Sequence, residues 1–351
     1  MPQPPDRRYV GRWPTPGSPQ PFECKGLSGY GFIVPGTLAN IEALCDRFLC
    51  QPTNGQQTYR PLTHHVLVTI THARSLSSQR APYCRFGWMP ETEAIFWLLV
   101  TAVKPRGAVA VAQRVVSFIP YAFVDNPLAM TAGREVFGFP KEIGWLEMPT
   151  DPQHAAHFSV DTIAVKRFAA GNKARPPEMQ RHRLFEINRV RGAGATARPT
   201  TWRSLVEAAD DIKQVVFADG SPVVPGVRFA EKLLHDLGTH ELSLVFLRQL
   251  FDVADGTRAC YQAIAEAPVQ IDFHRGMLLP GTYELTLHDF DSHPIRKDLG
   301  LKRQQRAVLS FWVEWDFTMD CGHDVWTASA AASASSPQPS WLSWLVDWLT
   351  A

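Results

Sequence analysis

Short apolar runs of strand length dominate the middle of the chain. They are rich in β-branched and aromatic residues and are bounded by Gly, Pro or Ser, which is typical of strands. In the first half of the chain they are HHVLVTITHA, EAIFWLLVTAV, VAVAQRVVSFIPYAFV, IGWLEMP and HFSVDTIAVKRF. In the second half they are APVQIDFHRG, GTYELTLHDFD and VLSFWVEWDFTM. The pattern therefore predicts a protein whose centre is mostly sheet.

Other segments have the period or the end signals of helices. The apolar residues of PGTLANIEALCDRFLC and of ELSLVFLRQLFDV recur every three or four positions, and Thr37 is a candidate N-cap of the first. The segment DNPLAMTAG has end signals instead: Asn126 can cap a helix, Pro127 suits its first position and Gly133 can end it. We predict three helices from these segments.

Composition divides the chain into four parts. Residues 1–20 are rich in proline and arginine and are predicted to form an extended arm, followed by one large domain over residues 21–326. Residues 327–340 are of low complexity and are predicted to be a flexible linker. Residues 341–351 predict an amphipathic helix rich in Trp and Leu. Because this helix carries no Lys or Arg, we expect it to cover its own domain, a subunit or a partner protein rather than anionic lipid.

Charge and motifs exclude several classes of function. The chain has 351 residues, 35 Lys and Arg against 34 Asp and Glu, and 45% hydrophobic residues. This balance lacks the basic excess that nucleic-acid binding needs, and no apolar run approaches the ~18 residues of a membrane span. The chain has no nucleotide-binding or serine-hydrolase motif, no C-x-x-C pair and no signal peptide at its start, so we predict a reduced, cytoplasmic protein.

The histidine-rich and acidic stretches do not predict a metal site. His64 and His65 are neighbours on a predicted strand and would face opposite sides of it. The segment LHDFDSHP offers carboxylates and imidazoles that could ligate a metal, but its pattern is more typical of a polar turn that closes a strand. We therefore predict no metal.

One lysine stands in unusual surroundings. Lys141 follows Gly138, Phe139 and Pro140 directly, so an ammonium is placed among aromatic neighbours. A lysine amine is a nucleophile only when it is neutral, and its ordinary pKa of ~10.4 leaves little neutral amine at pH 7. Burial in an apolar pocket lowers a lysine pKa, and Phe137, Phe139, Ile143 and Trp145 could form such a wall. The alternative is an exposed lysine in a turn.

The segment that contains this lysine, DNPLAMTAGREVFGFPKE, resembles the signature of the acetoacetate decarboxylase superfamily. In that family a G-R-E element is followed by a short aromatic or glycine spacer and then by proline and a Schiff-base lysine. The segments GYGFIVP, LANIEALCDRFL, ETEAIFWLLV, DGTRACYQAIAEAP and LHDFDSHPIRKDLGL resemble the same family, and the last two are similar to its longer, decarboxylase-like branch. The resemblance covers roughly residues 22 to 325.

The resemblance implies roles for particular residues. Lys141 is the residue that attacks a substrate ketone, and Glu93 is the best match to the family's active-site glutamate, with Glu91 as the second choice. Residues that the resemblance places in substrate binding or in support of the lysine are Arg134, Glu135, Glu142, Phe123, Phe137 and Phe139.

One position departs from the family pattern. Acetoacetate decarboxylases have a second lysine after the nucleophile, whereas this chain has Glu142. If the segment is extended, neighbouring side chains point to opposite faces and Glu142 does not contact Lys141. The departure leaves imine chemistry in place and makes acetoacetate itself a less certain substrate.

The family resemblance implies an α+β fold in which helices flank an antiparallel, cone-like or barrel-like sheet, and it implies a homo-oligomer. It also implies a cofactor-independent decarboxylase that forms a lysine imine with a β-keto acid, and the length of the chain suggests a specialised substrate of secondary metabolism. Two alternatives remain: a lysine-imine aldolase or aldolase–dehydratase that joins a 2-keto acid to an aldehyde, and a non-catalytic module that binds an apolar ligand.

Overall fold

The computed structural model describes residues 19–106, 109–168, 179–192, 198–200 and 241–328. Residues 1–18 and 329–351, which include most of the predicted arm and linker and the whole predicted C-terminal helix, lie outside the described residues. The strands are β1 Phe22–Pro35, β2 Thr58–Pro61, β3 His65–Ser78, β4 Met89–Arg106, β5 Val109–Val124, β6 Lys141–Glu147, β7 His157–Ala164, β8 Gln180–Arg191, β9 Arg198–Thr200, β10 Glu241–Phe251, β11 Ala259–Leu278, β12 Thr282–Leu287, β13 Gln304–Arg306, β14 Leu309–Met319 and β15 His323–Thr327. The helices are α1 Leu38–Cys45, α2 Pro127–Val136 and α3 Ile295–Leu299.

Seven strands close into a ring. Their order is β5, β10, β11, β14, β1, β3 and β4, and pairing of β4 with β5 completes the circle. The β5–β10 contact is parallel and short, whereas the other contacts of the ring are antiparallel. A closed ring leaves no free edge among these strands, and alternate residues of each strand point to its inside or outside.

A second group of strands extends from β5 instead of closing the ring. Strand β6 pairs with β5 in parallel, and β7, β8, β12 and β13 follow in antiparallel order. The core between this extension and the ring is aromatic. The ring of Phe158 in β7 lies 4.7 Å from Tyr30 and 5.1 Å from Phe32 of β1, and Tyr283 of β12 lies 5.3 Å from Phe32.

This architecture confirms the predicted fold class, a largely antiparallel, barrel-like sheet with helices at its side. The eight predicted strand segments all contain strands. Helix α1 begins after Thr37, as predicted, and continues through a π-helical turn at Asp46–Cys50. Within the described residues, no helix is long and apolar enough to cross a membrane.

The helix predicted in ELSLVFLRQLFDV is wrong, because Glu241–Phe251 is the central strand β10. This strand pairs with β5 on one side and β11 on the other. Leu244, Val245 and Phe246 are consecutive and all buried, so both faces of the strand are covered. A strand buried on both faces has a continuous apolar run, and its residues can match a helical period by chance.

Candidate active site

Lys141 is the first residue of β6 and lies beside Ala122 of β5. Helix α2 immediately precedes this strand. Asn126 caps the helix by accepting hydrogen bonds from the amides of Leu128 and Ala129 at 2.9 and 3.4 Å. The helix continues past Gly133, the predicted end, to Val136. The chain then reverses at Gly138, whose φ of +89° is in the left-handed region that favours glycine. This turn carries the chain from the helix into the strand that begins with the lysine.

Two carboxylates of β4 contact the lysine ammonium. Nζ of Lys141 donates a short hydrogen bond to Oε1 of Glu91 and lies 3.3 Å from Oε2 of Glu93. Because Glu91 and Glu93 are two residues apart on a strand, their side chains share one face. The side chains of Lys141, Glu91 and Glu93 are 8%, 5% and 18% exposed, so Glu93 is the one nearest to solvent. The structure thus brings together the lysine and both glutamates that the sequence suggested.

The charges of Lys141, Glu91 and Glu93 do not balance, because one ammonium faces two carboxylates. The pKa of Glu91 is raised to about 7: burial raises it most, Lys141 lowers it, and the second carboxylate, Glu93, raises it again. One ammonium between two carboxylates leaves an excess negative charge in a buried place, and a proton bound to Glu91 removes it.

The expectation that an apolar wall lowers the pKa of Lys141 is wrong for the unliganded protein. Burial does act in that direction, but Glu91 and Glu93 outweigh it and raise the pKa above its ordinary value. The predicted wall is also incomplete, because Trp145 is 39% exposed. In the unliganded protein the two carboxylates therefore favour the charged form of Lys141.

The three phenylalanines that the resemblance places near the lysine, Phe123, Phe137 and Phe139, lie in different parts of the structure. The ring centroid of Phe139 lies 5.4 Å from Nζ of Lys141, and buried Phe137 contacts Phe139 in an edge-on arrangement with centroids 6.1 Å apart. Phe123, by contrast, is in register with Glu142 rather than with Lys141. Its side chain therefore lies on the opposite face of the sheet, and the structure does not bring it to the lysine.

Arg134 and Glu135 support the turn before the lysine. Nη1 of Arg134 donates to the backbone carbonyl of Lys141 at 3.2 Å, and the carbonyl of Glu135 accepts from Nη2 of Arg248 at 3.0 Å. Both contacts join the end of α2 to neighbouring strands. They hold the backbone of the G-R-E element, and the guanidinium of Arg134 is directed at the main chain of the lysine strand.

Glu142 is separated from the lysine by the pleat of β6. Lys141 is buried, whereas the side chain of Glu142 is 48% exposed on the other face, as expected for adjacent residues of a strand. Oε2 of Glu142 lies 2.9 Å from Nε2 of buried His293. The carboxylate that replaces the family's second lysine therefore has its own partner and does not contact Nζ of Lys141.

The segment LHDFDSHP forms the predicted polar turn, beside a surface cavity. Arg296 donates to Asp289 at 2.7 and 3.0 Å, and Asp291 accepts from the amide of Phe168 at 2.8 Å. The cavity is lined by Asp289, Phe290, Asp291, Pro294, Arg296 and Lys297. In the described parts of the chain, no group of three His, Cys, Asp or Glu side chains is arranged to hold a metal ion.

Gly133 is a site residue that the sequence analysis interpreted only as a helix end. A Cβ atom added at Gly133 would lie 2.9 Å from Cδ of Lys141 and 3.3 Å from its Cε. The helix therefore needs glycine here to leave room for the lysine side chain. The signal in the sequence was a glycine in the middle of a capped helical segment, eight residues before the lysine.

We expect Gly133→Ala to lower the yield of substrate adduct on Lys141 by about tenfold, because the new methyl group displaces the lysine side chain and a misplaced reacting group is costly. Overpacking of about 1–3 kcal/mol is partly offset by the helix propensity of alanine, so the protein should stay folded. Mass spectrometry of reduced adducts and thermal unfolding measure the two effects. An unchanged adduct yield would show that the glycine is not needed for the lysine.

Comparison with known proteins identifies a family model that matches the part of the chain containing this site. Residues 66–186, which include Glu91, Glu93 and Lys141, match the family model for acetoacetate decarboxylase. No curated protein sequence matches the chain significantly.

Solved structures share the fold. An acetoacetate decarboxylase from Legionella pneumophila has a TM-score of 0.54 at 12% identity, with 93% of this chain and 93% of that chain covered. A second acetoacetate decarboxylase structure has a TM-score of 0.51 at 12% identity and covers 88% and 91% of the two chains. An acetoacetate decarboxylase-like enzyme from Sphingomonas wittichii RW1 has a TM-score of 0.50 at 10% identity over 88% and 94%. Residues 66–186 thus match the acetoacetate decarboxylase family model, and the described part of the chain shares the fold of these acetoacetate decarboxylase structures.

Proposed function

We propose that the protein is a lysine-imine enzyme, a carbon–carbon lyase that decarboxylates a β-keto acid. The observation that carries the proposal is the buried contact of Lys141 with Glu91 and Glu93 on a barrel wall. A buried lysine next to groups that can take its proton is the arrangement that nucleophilic amine catalysis needs. The family resemblance points to the same chemistry.

The reaction begins with proton transfer from Lys141 to Glu91. The pKa of Glu91 is raised to about 7, which makes its carboxylate a better proton acceptor than an ordinary glutamate. The neutral amine adds to the ketone carbon, and a proton moves from its nitrogen to the carbonyl oxygen to give a carbinolamine. The proton that Glu91 took up is then passed through Glu93, the more exposed carboxyl group, to this hydroxyl, which leaves as water, and both glutamates are again carboxylates.

The product of this dehydration is a protonated imine on Lys141. It carries the same positive charge as the ammonium that it replaces, so the two carboxylates that attract the ammonium also stabilise the iminium. The bond to the substrate carboxylate then breaks, its electrons move into the iminium and carbon dioxide leaves. Protonation of the enamine at carbon and hydrolysis by water release the ketone and regenerate the amine.

Reductive trapping tests the proposal. The full chain is incubated with acetoacetate, pyruvate or a longer β-keto acid, reduced with borohydride, and analysed by intact mass and peptide mapping. We expect an adduct at Lys141 and release of carbon dioxide from a β-keto acid. An adduct with pyruvate alone would favour the aldolase alternative, and no adduct in the folded protein would favour the binding module.

The pH profile should report Glu91. Because Glu91 must be ionised to accept the lysine proton and its pKa is raised to about 7, kcat/KM should rise with pH through this value. Above this pH, kcat/KM should reach a plateau, which should extend to the alkaline pH at which Lys141 loses its proton. Initial rates of carbon dioxide release between pH 5 and 9 measure the profile, with roughly tenfold loss per pH unit below the limb. An activity that is flat across this range would contradict the role of Glu91.

A further inference from the structure

The barrel wall beside the lysine contains a hydroxyl group without a partner. Oγ1 of Thr71 is the one buried side-chain nitrogen or oxygen among the described residues that makes no hydrogen bond. Thr71 is 4% exposed. Buried polar atoms are almost always hydrogen-bonded, and an exception in a native protein calls for an explanation such as a ligand.

The position of Thr71 relates it to the catalytic carboxylates. In the antiparallel pairing of β3 with β4, Thr71 is directly opposite Glu93, and Ala73 is opposite Glu91. Side chains of directly opposite residues lie on one face of a sheet, with Cβ atoms ~4.5–5.5 Å apart. The hydroxyl of Thr71 is therefore on the wall that presents both glutamates to Lys141.

The neighbouring strand accommodates this threonine. On its other side, Thr71 is opposite Gly29 of β1, and a Cβ atom added there would lie 2.4 Å from Cγ2 of Thr71. The methyl group of Thr71 thus occupies the space over Gly29. Because the methyl group and not the hydroxyl takes that side, the hydroxyl is left to point elsewhere.

Thr69 provides an internal comparison, since it is two residues away on the same face of β3. It is 6% exposed, nearly as buried as Thr71. Its Oγ1 accepts a hydrogen bond of 2.8 Å from Nε1 of Trp97, so the protein supplies a partner for this hydroxyl. The hydroxyl of Thr71, opposite Glu93, has no such partner among the described residues and is available to a ligand.

We propose that Oγ1 of Thr71 hydrogen-bonds the substrate oxygen at the carbon that Lys141 attacks. This inference rests on the proposed function. Carboxylates accept hydrogen bonds, so the keto oxygen needs a donor, and a neutral hydroxyl supplies one. The donor stabilises the negative charge that develops on this oxygen during addition of the amine and then remains bonded to the carbinolamine hydroxyl. Thr71 neither gains nor loses a proton in the reaction. The compound that this hydrogen bond recognises is one with a keto oxygen.

The test compares Thr71→Val, Thr71→Ser and Thr69→Val with the wild-type chain. Valine keeps the shape of threonine and removes the hydroxyl. For Thr71→Val we expect kcat/KM and the rate of reductive trapping at Lys141 to fall about tenfold to hundredfold. The melting temperature should stay the same or rise, because the group that is lost has no partner in the unliganded protein. Thr71→Ser should restore most of the rate.

Thr69→Val is the matched control. It leaves Nε1 of Trp97 without its acceptor, so it should lower the melting temperature and change the trapping rate less than Thr71→Val does. Trapping in Thr71→Val at the wild-type rate overturns the proposal for Thr71 and leaves the lysine-imine function intact. A melting temperature that falls with no change in rate also overturns it. No adduct in the wild-type protein overturns both proposals.

Discussion

Replacing Lys141 with methionine should abolish reductive trapping and lower kcat/KM by on the order of 10³-fold or more, because the side chain that forms the covalent intermediate is lost. Methionine is unbranched and similar in length, so it fills the space next to Gly133 and Phe139. The measurements are adduct mass after borohydride and release of carbon dioxide.

The same substitution should affect stability in a pH-dependent way. Without the ammonium, Glu91 and Glu93 face each other with no cation between them. Removal of one partner of a buried ion pair costs about 3–5 kcal/mol, and protonation of Glu91 reduces this cost at acidic pH. Lys302→Met, at an exposed lysine, is the control and should retain full activity. Trapping that persists in Lys141→Met would move the nucleophile to another lysine.

Glu91→Gln should lower kcat/KM about 10²- to 10⁴-fold and remove the limb near pH 7, because the amide cannot take up the proton of Lys141. Glutamine retains an oxygen that can accept a hydrogen bond from Nζ, so the fold should be kept. The pKa of Lys141 should fall, since burial still disfavours the ammonium while one of the two carboxylates that raise the pKa is gone. The pH dependence of kcat/KM and of the trapping rate measures both effects.

Glu93→Gln is the comparison for this prediction. Glu93 makes the longer contact, 3.3 Å, and is the more exposed of the two carboxylates. Its substitution should lower the rate but leave the limb near pH 7 in place, because that limb belongs to Glu91. The opposite result, in which Glu93→Gln removes the limb and Glu91→Gln keeps it, would contradict this assignment. Glu93, the first choice from the sequence, would then be the group that accepts the proton of Lys141.

The interpretation of Glu142 illustrates how strand geometry resolves an ambiguity of the sequence. Next to a nucleophilic lysine in the chain, a carboxylate suggests an ion pair that works against activation. In the structure Glu142 contacts His293, which is 151 positions further along the chain. Alternation along β6 could be predicted from the sequence once a strand was assumed, but the partner on the outer face depends on how α3 and its preceding turn fold against the sheet.

The sequence by itself determined the elements whose signals are local. Apolar runs bounded by turn residues located eight of the strands, the Asn-Pro pair located the start of α2, and the resemblance of the G-R-E and Pro-Lys segment and of ETEAIFWLLV gave a candidate nucleophile and two candidate glutamates. These features follow from backbone preferences and from side-chain chemistry within about ten residues of the chain. They were enough for the fold class.

Tertiary structure alone decided the features that depend on contacts between distant segments. Strand β10 has a helical period in its sequence and becomes a strand because β5 and β11 cover its two edges. The pKa of Lys141 is raised rather than lowered because β4, 50 residues earlier, brings two carboxylates to it. Likewise, only the register of β1, β3 and β4 places the unpartnered hydroxyl of Thr71 beside Glu93. Burial and charge at a site are sums over neighbours from many strands, and a linear pattern does not contain those neighbours.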